Sequence, residues 1–225
     1  GAMGIKEGFV KGRLMLNLDS ENSDTVCIGC AGGGGVTSLL GIEWQALPEK
    51  VLSFEVKLQG LRGGHSGINI HENRANAVKL MARVLQALQT HKIFLSDFQG
   101  GDKHNAIPRE AKAVISLGIE TVQDARTVIE KQIDNFKMEY PNDTSMEIKL
   151  MPVGNPGRCV SRTLFEKLCN LLLAFPSGVI AMSQVLPGLV ETSSNLSSAH
   201  ICENKIVVHN TPRSSVAQSL EATTN

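Results

Sequence analysis

The chain has 225 residues, enough for one large domain or two small ones, and its 42% hydrophobic content suits an ordinary buried core. Lysine plus arginine and aspartate plus glutamate each number 22, so the formal net charge is zero; there is no basic field for nucleic acid and no acidic tail. The longest apolar runs, residues 171–175 and 179–182, fall far short of the roughly 20 residues that a membrane span needs. The expected partners are small molecules or proteins, with no nucleic acid and no membrane.

Residues 1–4, GAMG, read as the remnant of a cleaved tag, and no secretory signal follows them. Five cysteines, at 27, 30, 159, 169 and 202, form an odd and scattered set that fits reduced thiols in the cytoplasm better than a disulfide framework.

In chain order, GRLMLNLD (residues 12–19) and TVCIGCAGG (residues 25–33) read as short buried strands, the first ending on an acid and the second running into glycine. AGGGG (residues 31–35) lacks both the Gly-Lys-Ser/Thr ending of a phosphate loop and the spacing of a dinucleotide fingerprint, so it reads as a connection. A boundary is expected near residues 42–50. VLSFEVKLQGL (residues 51–61) then alternates apolar and polar residues as a half-buried strand does. Asn73 is a candidate cap for a helix over residues 74–89, whose Ala77, Val78, Met81, Val84, Leu85 and Leu88 recur at helical spacing.

Strand patterns follow at 93–98 and 111–117, a helix at 122–138 and a strand at 146–151. The order β-α-β-β-α-β over residues 51–153 predicts an α+β fold: a ferredoxin-like two-layer sandwich with both helices on one face of an antiparallel sheet. An αββ(α) extension over residues 160–225 is expected to add a helix at 162–173, strands near 179–182, 189–196 and 205–209, and a helix from Ser214. The pattern stops at Asn225 without a glycine, proline or basic last turn, so the natural protein is expected to continue.

GLRGGHSG places His65 and Ser66 among glycines just after a strand, where the backbone turns sharply and a ligand can approach closely. His65 could donate to a developing oxyanion, although spacing alone favours a surface turn with an exposed histidine. CIGC is one Cys pair without a second, and on a strand it reads as packing rather than a zinc or redox motif. His91, His104, His200 and His209 show no metal spacing.

GLRGGHSGINIHENRANAVKLMARVL, with LMLNLDSE (residues 14–21), KHNAIPREA (residues 103–111), GVIAMSQVLPGLVETSSNL (residues 178–196) and PRSS (residues 212–215), resembles the M20 metallopeptidases of the aminoacyl-histidine (Xaa-His) dipeptidase group. The resemblance covers almost the whole chain after residue 4. It implies a cytoplasmic zinc-dependent dipeptidase with two zinc ions in the parent enzyme. Asp19 is implied as one metal ligand, His65 as the lid histidine that stabilises the tetrahedral oxyanion, and Asn105 as a substrate contact. Arg213 is implied as the fork for the dipeptide carboxylate, and His71 as a secondary candidate.

Bare sequence leaves other roles open: a turn or cap for Asp19, a turn residue for Asn105, a solvated arginine for Arg213. On this reading residues 5–45 hold the end of the catalytic domain and its connection, and 46–225 the lid or dimerisation domain. The chain contains neither His-x-Asp nor adjacent glutamates, so the site would be incomplete and the chain inactive by itself. The implied partners are a dipeptide, the catalytic domain of the same protein and a homodimer mate. The competing readings are a non-catalytic lid-like module for oligomerisation and a metal-free pocket for small carboxylates.

Overall fold

The computed structural model describes residues 4–14 and 29–225. The chain divides into two units, Gly1–Cys30 and Ala31–Asn225. In the first, residues 4–14 are exposed, with a turn closed by the Phe9 amide donating to the Lys6 carbonyl at 3.1 Å.

The second unit runs β1 (Gly32–Gly33), β2 (Val36–Gly41), β3 (Trp44–Ala46), β4 (Val51–Gln59), β5 (Gly64–His65), α1 (Ala77–Ala87), β6 (Phe94–Gly100), β7 (Ala106–Ile107) and β8 (Ala111–Gly118). It continues through α2 (Val122–Glu139), β9 (Glu147–Val153), β10 (Arg158–Val160), α3 (Arg162–Ala174), β11 (Gly178–Met182), β12 (Val190–Cys202), β13 (Lys205–Ser214) and α4 (Ala217–Thr224). Strands β4, β6, β8 and β9 lie antiparallel in the order β6-β8-β4-β9, with α1 and α2 between them in sequence. This is the ferredoxin-like sandwich that the β-α-β-β-α-β pattern predicts.

The extension does not form a layer of its own. β12 pairs with the edge strand β6 at Ala199 and His200, β13 pairs with β12, and β2 and β1 pair with β13, so one sheet runs through both halves. Periodicity places 205–209 and 189–196 in strands, but they run on to 214 and 202 because each finds a partner along its whole length. The glycine-rich stretch read as a connection belongs to the sheet: Gly32 and Gly33 pair with Ser214 and Arg213, Val36–Gly41 lines β13, and Ile42 is buried in the core.

Alternation fixes which way the sheet faces. Val56, Leu58, Phe98, Ala113, Ile115, Leu196, Ile206 and Val208 enter the core, against Leu80, Met81, Val84 and Leu85 of α1 and Phe165, Leu168 and Leu172 of α3. Lys57, Gln99, Lys112 and His200 stand in register on the opposite face.

Asn76, not Asn73, caps α1. Its Oδ1 accepts from the Val78 and Lys79 amides at 3.0 and 3.3 Å, while its Nδ2 reaches across to the Leu196 carbonyl at 2.8 Å. Asn73 instead takes a left-handed conformation (φ 49°) that ends a short 3-10 turn at Ile70–Glu72. The tie to β12 selects Asn76, and local spacing carries no trace of it. In the same first turn of α1, Lys79 holds the α1–α3 pair: its Nζ donates to the Leu172, Leu173 and Phe175 carbonyls at the end of α3.

Arg83 on α1 forks onto Glu139 at the end of α2 with two 2.6 Å hydrogen bonds, and its guanidinium also stacks over Phe136. The hydrogen bonds from Arg83 hold the Glu139 carboxyl below its ordinary value; burial opposes them, and the arginine's charge adds a lesser lowering effect. The folded state therefore binds this proton less readily than the unfolded chain. The stabilisation is present at neutral pH and is lost as the pH falls below the usual glutamate range. Glu139→Gln is expected to lower stability at neutral pH and to flatten its decline on acidification; urea unfolding across about pH 3 to 7 measures this.

Candidate active-site surface of the lid

The site lies on the sheet face opposite the helices, around a two-stranded ribbon in which Gly64 pairs with Ile107 and His65 with Ala106. The ribbon is tightened by the Ser66 amide, which donates to the Asn105 carbonyl at 2.9 Å. His65 is fixed on every side: its amide donates to Asn69 Oδ1 at 2.9 Å and its carbonyl accepts from the Asn69 amide at 2.9 Å. The imidazole Nδ1 takes the amides of Gly67 and Ile68, each at 3.2 Å. A ring nitrogen that accepts two backbone N–H groups carries no proton, so the ring proton sits on Nε2 and is free to be donated.

A carboxylate and two arginines brace this loop. Glu72 accepts from Asn69 Nδ2 at 2.7 Å, from Arg74 Nε at 2.9 Å and from Arg62 Nη2 at 3.2 Å, while Arg74 Nη1 donates to the Gly63 carbonyl at 2.6 Å. The hydrogen bonds from Asn69 and Arg74 hold the Glu72 carboxyl below its ordinary value. Gly64 adopts φ +143°, and a Cβ there would lie 2.5 Å from Arg74 Nη1 and 2.8 Å from Asn69 Oδ1.

Arg213 reaches the same place from β13. A Cβ placed on Gly67 would lie 3.3 Å from the His65 ring and 3.6 Å from Arg213 Cζ, so both side chains come close to this one glycine. The structure thus brings His65, Asn105 and Arg213 together from three separate parts of the sequence. Beside them, on the open face, lies a cleft of about 660 Å³ lined by Gly64, Ala106, Ile107, Arg109, Lys112 and His200 among others. Burial pushes the His200 imidazole down, and burial likewise pushes the nearby Asp97 carboxyl up.

Asp19 lies outside the described residues, as does Cys27 of CIGC. Among the described residues no group of three His, Cys, Asp or Glu side chains could hold a metal ion; what this surface offers a ligand is the His65 donor and the Arg213 cation. His71 is exposed on the short turn before Glu72, away from the bonds that hold His65. Spacing did not single out Asn69, Glu72, Arg74 or Asn195. Glu72 and Arg74 fall within the family-like IHENRANA and Asn69 just before it, but their value is the network they form with one another. Asn195 sits in a buried polar strand, and its Nδ2 donates to the Ala106 carbonyl at 2.8 Å.

Of the cysteines, Cys169 is buried on α3, its thiol pushed up to about 12 chiefly by that burial, and Cys159 is buried beside β3. Cys30 and Cys202 are exposed.

Residues 56–144 match the peptidase dimerisation domain of the M20 family. Over 211 residues it is 34% identical to the cytosol non-specific dipeptidase of Escherichia coli (strain K12), covering 93% of this chain and 44% of that protein. The crystal structure of aminoacylhistidine dipeptidase from Vibrio alginolyticus superposes with a TM-score of 0.88 at 32% identity, over 99% of this chain and 46% of that one. The chain thus spans less than half the length of the dipeptidases it is similar to. No helix among the described residues is long and apolar enough to cross a membrane.

Gly64→Ala is expected to lower stability by about 1–3 kcal/mol, because a side chain there meets both a strained φ and the Arg74–Asn69 brace; chemical unfolding of the chain measures it. A thiol reagent at neutral pH should label Cys30 and Cys202 and leave Cys169 unmodified until the protein unfolds, as mass spectrometry would read.

Proposed function

We propose that this chain is the lid and dimerisation portion of a cytoplasmic zinc-dependent dipeptidase acting on Xaa-His and related dipeptides. The observation that carries the proposal is the His65 ring: its Nδ1 is occupied by two backbone amides, which leaves the proton on Nε2, and the Arg213 guanidinium comes close to the same glycine, Gly67. A donor and a cation gathered near one glycine suit the two negative ends of a reacting dipeptide. His65 donates to the oxygen that becomes an oxyanion as the peptide carbonyl is attacked, and Arg213 takes the terminal carboxylate. The likeness to two dipeptidases over nearly the whole chain supports the substrate class.

His65 is held before any substrate arrives, so its donor needs little reorganisation during the reaction. Asn105, whose carbonyl fastens the ribbon, presents its amide side chain on the turn between Lys103 and Ala106, where it contacts the substrate. Closing the lid excludes water and strengthens both interactions. Zinc, when bound in the complete protein, supplies the activated water; Asp19 is assigned as one of its ligands. Residues 1–225 contain neither His-x-Asp nor adjacent glutamates and are inactive alone.

A second role, assembly, is favoured by the exposed apolar stretch from Val179 to Leu189, in which Val185 is 83% and Leu186 57% exposed. It offers a surface for a second copy or for the catalytic domain.

Hydrolysis of an Xaa-His dipeptide by the full-length protein with zinc tests the proposal. His65→Ala is expected to lower kcat by roughly 100- to 1000-fold, the usual cost of one oxyanion donor, and Asp19→Ala to abolish turnover. Undiminished activity in either variant would remove the corresponding assignment. Tight dipeptide binding to residues 1–225 without metal would favour the metal-free carboxylate pocket instead.

A further inference from the structure

Among the described residues, three buried side-chain polar atoms have no hydrogen-bond partner: Ser66 Oγ, Asn195 Oδ1 and Arg213 Nε. All three belong to the neighbourhood of His65, although they come from β12, β13 and the loop after β5. Buried orphans of this kind are uncommon and costly, and three together call for an explanation. Two of them are donors and one is an acceptor, so the set is complementary within itself.

Asn195 joins the pieces. Its Nδ2 donates to the Ala106 carbonyl at 2.8 Å, and Ala106 is the residue paired with His65. On the sheet, Asn195 stands opposite Thr211 and Arg213 opposite Ser193. Asn195 and Arg213 are therefore diagonal neighbours on the same face, about 7–8 Å apart along the backbone and within reach of a long side chain. Asn195 is only 1% exposed, so its Oδ1 has no solvent to turn to.

Resting on the roles given above to His65 and Arg213, we propose that Asn195 is a positioning residue that couples the two. Its Nδ2 end holds the ribbon that carries His65. Its Oδ1 end accepts from Arg213 Nε when the two terminal guanidinium nitrogens engage the carboxylate of a dipeptide. With Nε taken, the fork points end-on at the substrate, and occupancy of the carboxylate site is transmitted to the ribbon. The preferred substrate is accordingly a dipeptide with a free C-terminal carboxylate, and its C-terminal amide is a poor one.

The test uses the full-length protein with zinc and compares a dipeptide with its C-terminal amide. Asn195→Ala removes both ends of the coupling and is expected to raise KM and lower kcat by about tenfold or more each, and to shrink the discrimination between acid and amide. Asn195→Asp is nearly isosteric; it keeps an acceptor for Arg213 Nε and loses the donor to Ala106. It is expected to retain KM within about threefold, and the discrimination with it, while kcat falls by about tenfold or more. Asn195→Ala combined with Arg213→Lys should lose less than the product of the single losses.

The inference is overturned if both variants shift only the melting temperature, with kinetics per folded enzyme and acid–amide discrimination at wild-type values, or if the double variant is strictly multiplicative. Wild-type turnover that is indifferent to His65→Ala would instead sink the underlying assignment of His65, whatever Asn195 does.

Discussion

β12 bears on both sides of the lid at once. At Ala199 and His200 it pairs with β6, which would otherwise be an open edge of the ferredoxin-like unit. Along the rest of its length it pairs with β11 and β13. Its side chains from Thr192 to Ala199 are buried, although most are polar. Several have partners beside them: Thr192 with Ser214 at 2.9 Å, Ser194 with Asn210 at 3.1 Å, and Ser197 with the His209 carbonyl at 3.0 Å. Such a strand is costly in isolation and specific in place, since a slip of one residue would part these hydroxyls from their partners.

The placement of His65 follows from this. The turn from His104 to Ala106 is fastened to the sheet by Thr211 Oγ1 on the His104 carbonyl at 3.0 Å and by Asn195 on Ala106. The His65 loop in turn is fastened to that turn through Ser66 and the short ribbon. From the other side, Asn76 links the first turn of α1 to the Leu196 carbonyl. The loop is thus clamped between a helix start and a polar strand, and the Glu72–Arg74 brace closes it locally. This restraint makes a histidine in a glycine-rich turn a directed donor rather than a mobile surface group.

Much of the fold was legible in the sequence. The β-α-β-β-α-β order followed from alternation in 51–61 and 111–117 and from the helical spacing of Ala77, Val78, Met81, Val84 and Leu85, because periodicity of two and of 3.6 survives without tertiary information. The site was legible only through its resemblance to a family: GGHSG, HNAIP and PRSS mean little by spacing, and their roles remain assignments by likeness. Asn69, Glu72, Arg74 and Asn195 escaped notice because a hydrogen-bonding side chain has no period, and its importance depends on what stands opposite it.

By itself the sequence determined the alternation of apolar residues, the two-layer unit over 51–153 and the glycines that let a turn form at His65. Only the tertiary structure decided that Val36–Gly41 is a strand, that Asn76 rather than Asn73 caps α1, and that the extension continues the same sheet. It also decided that His65 and Arg213, 148 positions apart in the chain, both come close to Gly67. The reason is physical. Local periodicity encodes which side of an element is apolar, whereas the pairing of an edge and the satisfaction of a buried polar group depend on partners that only folding brings within hydrogen-bond distance.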